Sequence, residues 1–150
     1  MEEEKKHLCY TLEEYDEVIE DTNLKIKNLK KLFSSDYDAM MDEKDRLESK
    51  IKMVSRAKLN PYFGRIDFEG EDKKTYYIGK LGVSDYDNNI ITVDWRAPIS
   101  SLYYDSNIGK CSYQVENDII EGYLSLKRQY QIENSKLIIM MLILFQMMKF

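Results

Sequence analysis

The side chains best suited to chemistry are few. His7 is the single histidine, and Cys9 and Cys111 stand far apart in the chain, so no Cys/His zinc cluster can be assembled. One cysteine lies in a charged N-terminal segment and the other far downstream, which argues against a disulfide framework, for a reducing compartment and for two inert thiols. The sequence carries no GxxxxGKS/T phosphate loop, no HExxH and no serine elbow. Its nearest approach to a glycine-rich loop, Gly79-Lys80-Leu81-Gly82, lacks the spacing of either nucleotide fingerprint. No catalytic, cofactor-binding or metal-ligating residue is assigned.

Charged residues offer more. Asp36, Asp38, Asp42 and Glu43 cluster between two helical stretches. Carboxylates are hard-oxygen ligands suited to Mg²⁺, and at the end of a rigid arm they would form an acidic tip aimed at a partner's metal or basic channel. Equally, a charge run at a turn is simply solvated. Lys127 and Arg128 lie on the longest expected strand, facing opposite ways. With Arg96 they are the candidates for nucleic-acid or interdomain contact. The plainer alternative is a solvated strand face plus an arginine paired with an acid. Trp95, the sole tryptophan, reads as a buried anchor at a strand end.

Elements must hold these groups in place. Residues 1 to about 60 contain neither glycine nor proline and are dense in Glu, Asp, Lys and Leu, a helical composition. Leu12, Tyr15, Ile19, Thr22, Ile26, Leu29 and Phe33 recur at spacings of three and four, the seam of a coiled coil. Tyr37, Met40, Lys44, Leu47, Ile51 and Val54 repeat the pattern with a slip at Ser34-Ser35-Asp36. Either the helix continues through a stutter, or the chain reverses there and the seams face each other as an antiparallel hairpin. The hairpin is favoured because a lone seam has nothing to bury against.

From Pro61 to residue 136 the texture is that of a small β domain. Tyr62–Phe68, Thr75–Gly79, Ile90–Trp95, Ile99–Tyr104, Cys111–Val115 and Ile119–Ile132 read as strands, with Gly, Asp, Asn and Ser between them. The expected fold class is α+β: the helical hairpin, then an antiparallel sheet that curls into a barrel or packs on the hairpin. The expected core is Ile66, Phe68, Tyr76, Ile78, Ile91, Val93, Trp95, Leu124 and Leu126. Residues 137–150 form an apolar tail too short to span a bilayer as a helix. One permitted back-translation from Ile139 gives an ordinary polar segment in another frame, so a frameshift is the expected origin of this tail.

Size and charge set outer limits. At 150 residues and 17.9 kDa the chain has no room for a complete motor. A net charge of −5, from 22 Lys plus Arg against 27 Asp plus Glu, is the wrong balance for a general nucleic-acid surface. The acidic N-terminus lacks the apolar run of a secretory signal, which places the protein in a cytoplasm, away from membranes.

Asn60-Pro61, YFGRIDF (62–68), YYIGKLGV (76–83), VDWRAPISSLYYD (93–105) and EGYLSLKRQYQI (121–132) together resemble the amino-terminal region of HelD, the UvrD-like superfamily 1 helicase associated with bacterial RNA polymerase and often called DNA helicase IV. The resemblance covers about Met1 to Leu137. It implies an N-terminal helical hairpin that enters the polymerase secondary channel, followed by the β region and then an ATP-binding motor. It further implies that the intact family uses ATP and Mg²⁺ to help release or recycle RNA polymerase, and that it touches DNA. Carried onto this sequence, Asp36, Asp38 and Asp42, with Glu43 beside them, become candidates for approaching the polymerase active-site region, although the arm is short for the family. The phosphate loop and the other motor motifs are missing, so the expected activity is binding to core RNA polymerase without catalysis and without a cofactor. The alternatives are an inactive remnant truncated near Leu137, or the front half of a split helicase whose ATPase half is separately encoded.

Overall fold

A computed structural model describes residues 1–33 and 35–142. Helix α1 runs Glu2–Lys27, a single further turn α2 spans Leu29–Leu32, and α3 runs Tyr37–Ala57. At ~1.5 Å per residue α1 is about 40 Å long and α3 about 30 Å. Asp36 starts α3 as its N-cap, with extended backbone and a carboxylate that accepts the Ala39 N–H at 3.0 Å. The chain reverses between α1 and α3. Lys25 and Lys50 lie over the same ring, that of Tyr86, while Lys58 pairs with Asp16, so the two helices run antiparallel. Of the two readings of the register slip, the hairpin holds.

The seam differs in detail. Glu4, Leu8, Thr11, Tyr15, Val18 and Thr22 are the buried positions of α1, whereas Leu12, Ile19 and Ile26 are half-buried. The reason is that α1 covers the sheet as well as α3, which requires a wider arc than a two-helix seam.

Seven described strands form one mixed sheet: β1 Gly64–Glu69, β2 Lys73–Gly79, β3 Val83–Ser84, β4 Ile90–Asp94, β5 Gly109–Val115, β6 Asp118–Glu133 and β7 Lys136–Leu142. The order is β3-β4-β2-β1-β6-β5, with β7 also on β6, so the path stays open rather than closing as a barrel. The α+β class stands. The sheet is not wholly antiparallel, because β2 and β4 pair in parallel through Ile78 and Val93.

Three further expectations are corrected. Ile99–Tyr104 is not a strand: Pro98–Ser100 forms a 3-10 turn that leads into α4, Ser101–Asp105. Proline at the start of a turn is pre-set for helical backbone, and Ile99, Leu102 and Tyr103 share one helical face. Trp95 is not buried but 48% exposed, since β4 ends at Asp94 and the chain turns away. Leu137–Leu142, grouped with the tail, belongs to β7. Asn134 and Ser135 both adopt positive φ (51° and 64°), and Glu133 pairs with Lys136 across them, a two-residue hairpin turn of the type whose twist suits paired strands. Residues 143–150 lie outside the described residues.

The sheet has two dressed faces. On one, Ile66, Phe68, Ile78, Val93 and Leu124 pack with Leu102 of α4. On the other, Leu8 of α1 meets Tyr62, Tyr130 and Ile132, and Tyr15, Val18 and Val54 meet Val83 and Ile91. Tyr76 and Leu126 of the expected core are half-buried.

Candidate functional site: the arm tip and its base

The turn of the helical hairpin brings Asp36, Asp38, Asp42 and Glu43 to one end of the arm, and the four are not equivalent. Asp36 is engaged as the cap of α3. Glu43 takes two hydrogen bonds from the Arg46 guanidinium, at 2.5 and 3.0 Å, and these hold its carboxyl below the usual range. Asp38 and Asp42 are exposed. Among the described residues no three His, Cys, Asp or Glu side chains converge to hold a metal ion, so these carboxylates act as separate charges.

The same reversal delivers Lys27, Lys30 and Lys31 to that end, and residues 27–46 carry five acidic and five basic side chains. The tip is therefore charge-mixed, with its acids on the α3 side. Leu32 (73% exposed) and Tyr37 (68% exposed) stand out beside them. A cleft of about 370 Å³ opens between Lys30, Phe33, Ser35, Tyr37 and Met40. These two apolar groups escaped the sequence reading, which assigned Tyr37 to the second seam and left Leu32 aside.

At the opposite end the arm is anchored through a buried acid. Glu4 is 4% exposed and sits between Arg65 and Arg128, which are cross-strand partners in β1 and β6. Like charges directly opposite destabilise a sheet, and the Glu4 carboxylate offsets this pair. It accepts from Arg128 Nη1, from Arg65 Nη1 at 3.5 Å and from the Tyr130 hydroxyl at 2.6 Å. Arg65 also forks onto Asp67 at 3.0 and 3.2 Å, and Thr75 donates to the same Asp67 carboxylate at 2.9 Å. Next along α1, His7 stacks on Tyr77 with ring centres 3.8 Å apart. Burial lowers its pKa; Glu4 opposes the shift and Arg65 adds to it.

The three basic candidates are not brought together. Arg128 faces α1 and binds Glu4. Lys127, on the other face, is 2% exposed, and its ammonium donates to the Ser106 carbonyl at 2.8 Å. Burial lowers its pKa, against the pull of Asp105. It does not stand on a solvated strand face. Arg96 is exposed and grips Asp94 through two side-chain hydrogen bonds, fixing the turn after β4. Gly79 and Gly82, the ends of the glycine-rich segment, serve close backbone approach: a Cβ on Gly79 would lie 2.3 Å from the Pro61 carbonyl oxygen.

No described helix is long and apolar enough to cross a membrane. A search of curated proteins gave no match to the chain. The hairpin arm, the sheet at its base and the segments quoted above meet in one family, whose model matches residues 1–141: the chain belongs to the family of the DNA helicase IV HelD N-terminal domain.

Proposed function

We propose that this chain is the polymerase-binding portion of a HelD-type helicase, with the helical hairpin as the arm that enters the secondary channel of core RNA polymerase and the sheet as its base. The observation that carries this reading is the isolation of the tip. Among the described residues, no hydrogen bond or ion pair joins 27–46 to the sheet, while Leu32 and Tyr37 stand exposed at the turn. Two exposed apolar groups at the end of a helical hairpin, rimmed by charge, are the makings of a contact with another macromolecule. Asp38 and Asp42 supply free negative charge toward a basic channel, so association weakens with added salt. The chain acts here by binding. In this reading ATP, Mg²⁺ and any step that releases or recycles the polymerase are the work of the family's motor, whose phosphate loop these 150 residues do not contain.

The test is retention of the purified chain on immobilised core RNA polymerase at low and moderate salt. Retention is expected at low salt. Leu32→Ser with Tyr37→Ser should abolish it, and Asp38→Asn with Asp42→Asn should weaken it, both with an unchanged melting temperature. Retention at neither salt concentration counts against the reading.

A further inference from the structure

We propose that the groove between the arm and the β3–β4 hairpin binds a compact phosphorylated anion of the pyrophosphate type, held between Lys25 and Lys50. The groove encloses about 850 Å³, within the range of small-molecule sites. Lys25 enters it from α1, Lys50 and Arg46 from α3, and Tyr86 from the turn between β3 and β4.

Tyr86 is fixed, because its hydroxyl lies 2.5 Å from Thr22 Oγ1. Both lysine nitrogens converge on its ring, Lys25 Nζ at 3.8 Å and Lys50 Nζ at 4.5 Å from the centroid, and Lys50 Nζ also donates to the Tyr86 hydroxyl at 3.4 Å. The two ammoniums can thus be no farther apart than the sum of their distances to one ring centre. Among the described residues neither forms an ion pair with a carboxylate. A ring's attraction for one cation is modest, and here it serves two that repel each other.

The carboxylates nearby are engaged elsewhere. Asp85 lines the groove, but its oxygens accept from the backbone N–H groups of Asp87 and Asn89 and from the Asn89 amide. Glu43 accepts both of its hydrogen bonds from Arg46, although the charge of Lys25 also reaches it. The groove therefore holds three cations, Lys25, Lys50 and Arg46, against the single lining carboxylate Asp85, with the neutral donors Ser49, Ser84 and Asn88 around them. An anion of two or more charges between the lysines replaces their repulsion with charge-assisted hydrogen bonds. A nucleic-acid backbone needs cations spread along a track, whereas these converge on a point, which favours a compact anion.

One lysine is on each arm helix and the tyrosine is on the sheet side, so a bound anion would clamp the arm to its base. This holds whether or not the tip binds polymerase, and its test uses no polymerase. Titration calorimetry of the whole chain with pyrophosphate, and separately with a nucleoside triphosphate, should show saturable binding. Lys25→Gln and Lys50→Gln should each weaken it roughly tenfold or more, while Lys52→Gln, an exposed α3 lysine outside the groove, should not. On the unaltered chain, pyrophosphate should protect Lys25 and Lys50 from acetylation, a readout independent of any variant's folding. The proposal is overturned by absent saturation, by an equal loss in Lys52→Gln, by unprotected lysines, or by protection from a short single-stranded oligonucleotide where pyrophosphate gives none.

Discussion

Replacing Glu4 with glutamine keeps the shape of the side chain and removes the charge that separates two arginines. Arg65 retains Asp67, but among the described residues Glu4 is the one ion-pair partner of Arg128, whose buried Nε has no hydrogen-bond partner. Removing one member of a fully buried pair costs about 3–5 kcal/mol. The Arg128 side chain keeps 23% exposure, so water relieves part of the loss and the expected cost is about 2–3 kcal/mol. For a chain of this size that lowers the melting temperature by roughly 5–10 °C. Circular dichroism melts at neutral pH measure this, and amide exchange should quicken through the first turns of α1. The double variant Glu4→Gln/Arg128→Met should be less destabilised than the sum of the singles by about 1–2 kcal/mol, because removing the orphaned charge removes its penalty. A Glu4→Gln effect within about 0.5 kcal/mol of zero, or strict additivity, would refute the role given to Glu4.

Three other outcomes follow from the same geometry. His7 has a folded-state pKa below its ordinary 6.5, so the unfolded chain binds a proton first; stability is full above 6.5, declines as pH falls from there toward the folded value, and then levels. Urea midpoints across that window should slope for the parent and flatten for His7→Phe, and an equal slope in both would contradict the assignment. Lys127→Ala should cost about 2–4 kcal/mol in urea unfolding, through a cavity and an orphaned Ser106 carbonyl; Lys127→Met, which refills the space, should cost less than about 1.5 kcal/mol, and equal losses would exclude volume as the cause. Gly79→Ala should destabilise by about 1–3 kcal/mol through its clash with the Pro61 carbonyl, and a neutral result would mean the backbone there yields freely.

What the sequence made legible was whatever rests on local rules. Spacings of three and four with a slip at Ser34-Ser35-Asp36 were enough to favour the hairpin over a continuous helix, because the seam is a local pattern and two seams in one chain can bury each other. Most strands were found for the same reason. Ile99–Tyr104 was misread because Ile99, Leu102 and Tyr103 fit a short helix as well as a strand, and Pro98 was the signal that decides between them. The strand β7 was masked by its composition, although Asn134-Ser135 is a competent hairpin turn. The parallel pairing of β2 with β4 depends on where β3 lies, and no local pattern encodes that. Glu4 was invisible in another way: it sits in a run of charged residues, and only the distant pair Arg65 and Arg128 makes its burial favourable. The same holds for Lys25, Lys50 and Tyr86, which three separate elements bring together.

Strand β6 carries β1 along one edge, with β5 and then β7 along the other, and its partners in β1 lie some 60 residues earlier: Gly64 pairs with Gln129 and Glu69 with Tyr123. The arm and the β1–β2 hairpin can form from neighbours in sequence, but the sheet cannot close until β6 has been made. Such a high contact order slows folding. A nascent chain would extend its arm well before the surface that anchors Glu4 exists, so for an interval of synthesis the lever precedes its fulcrum.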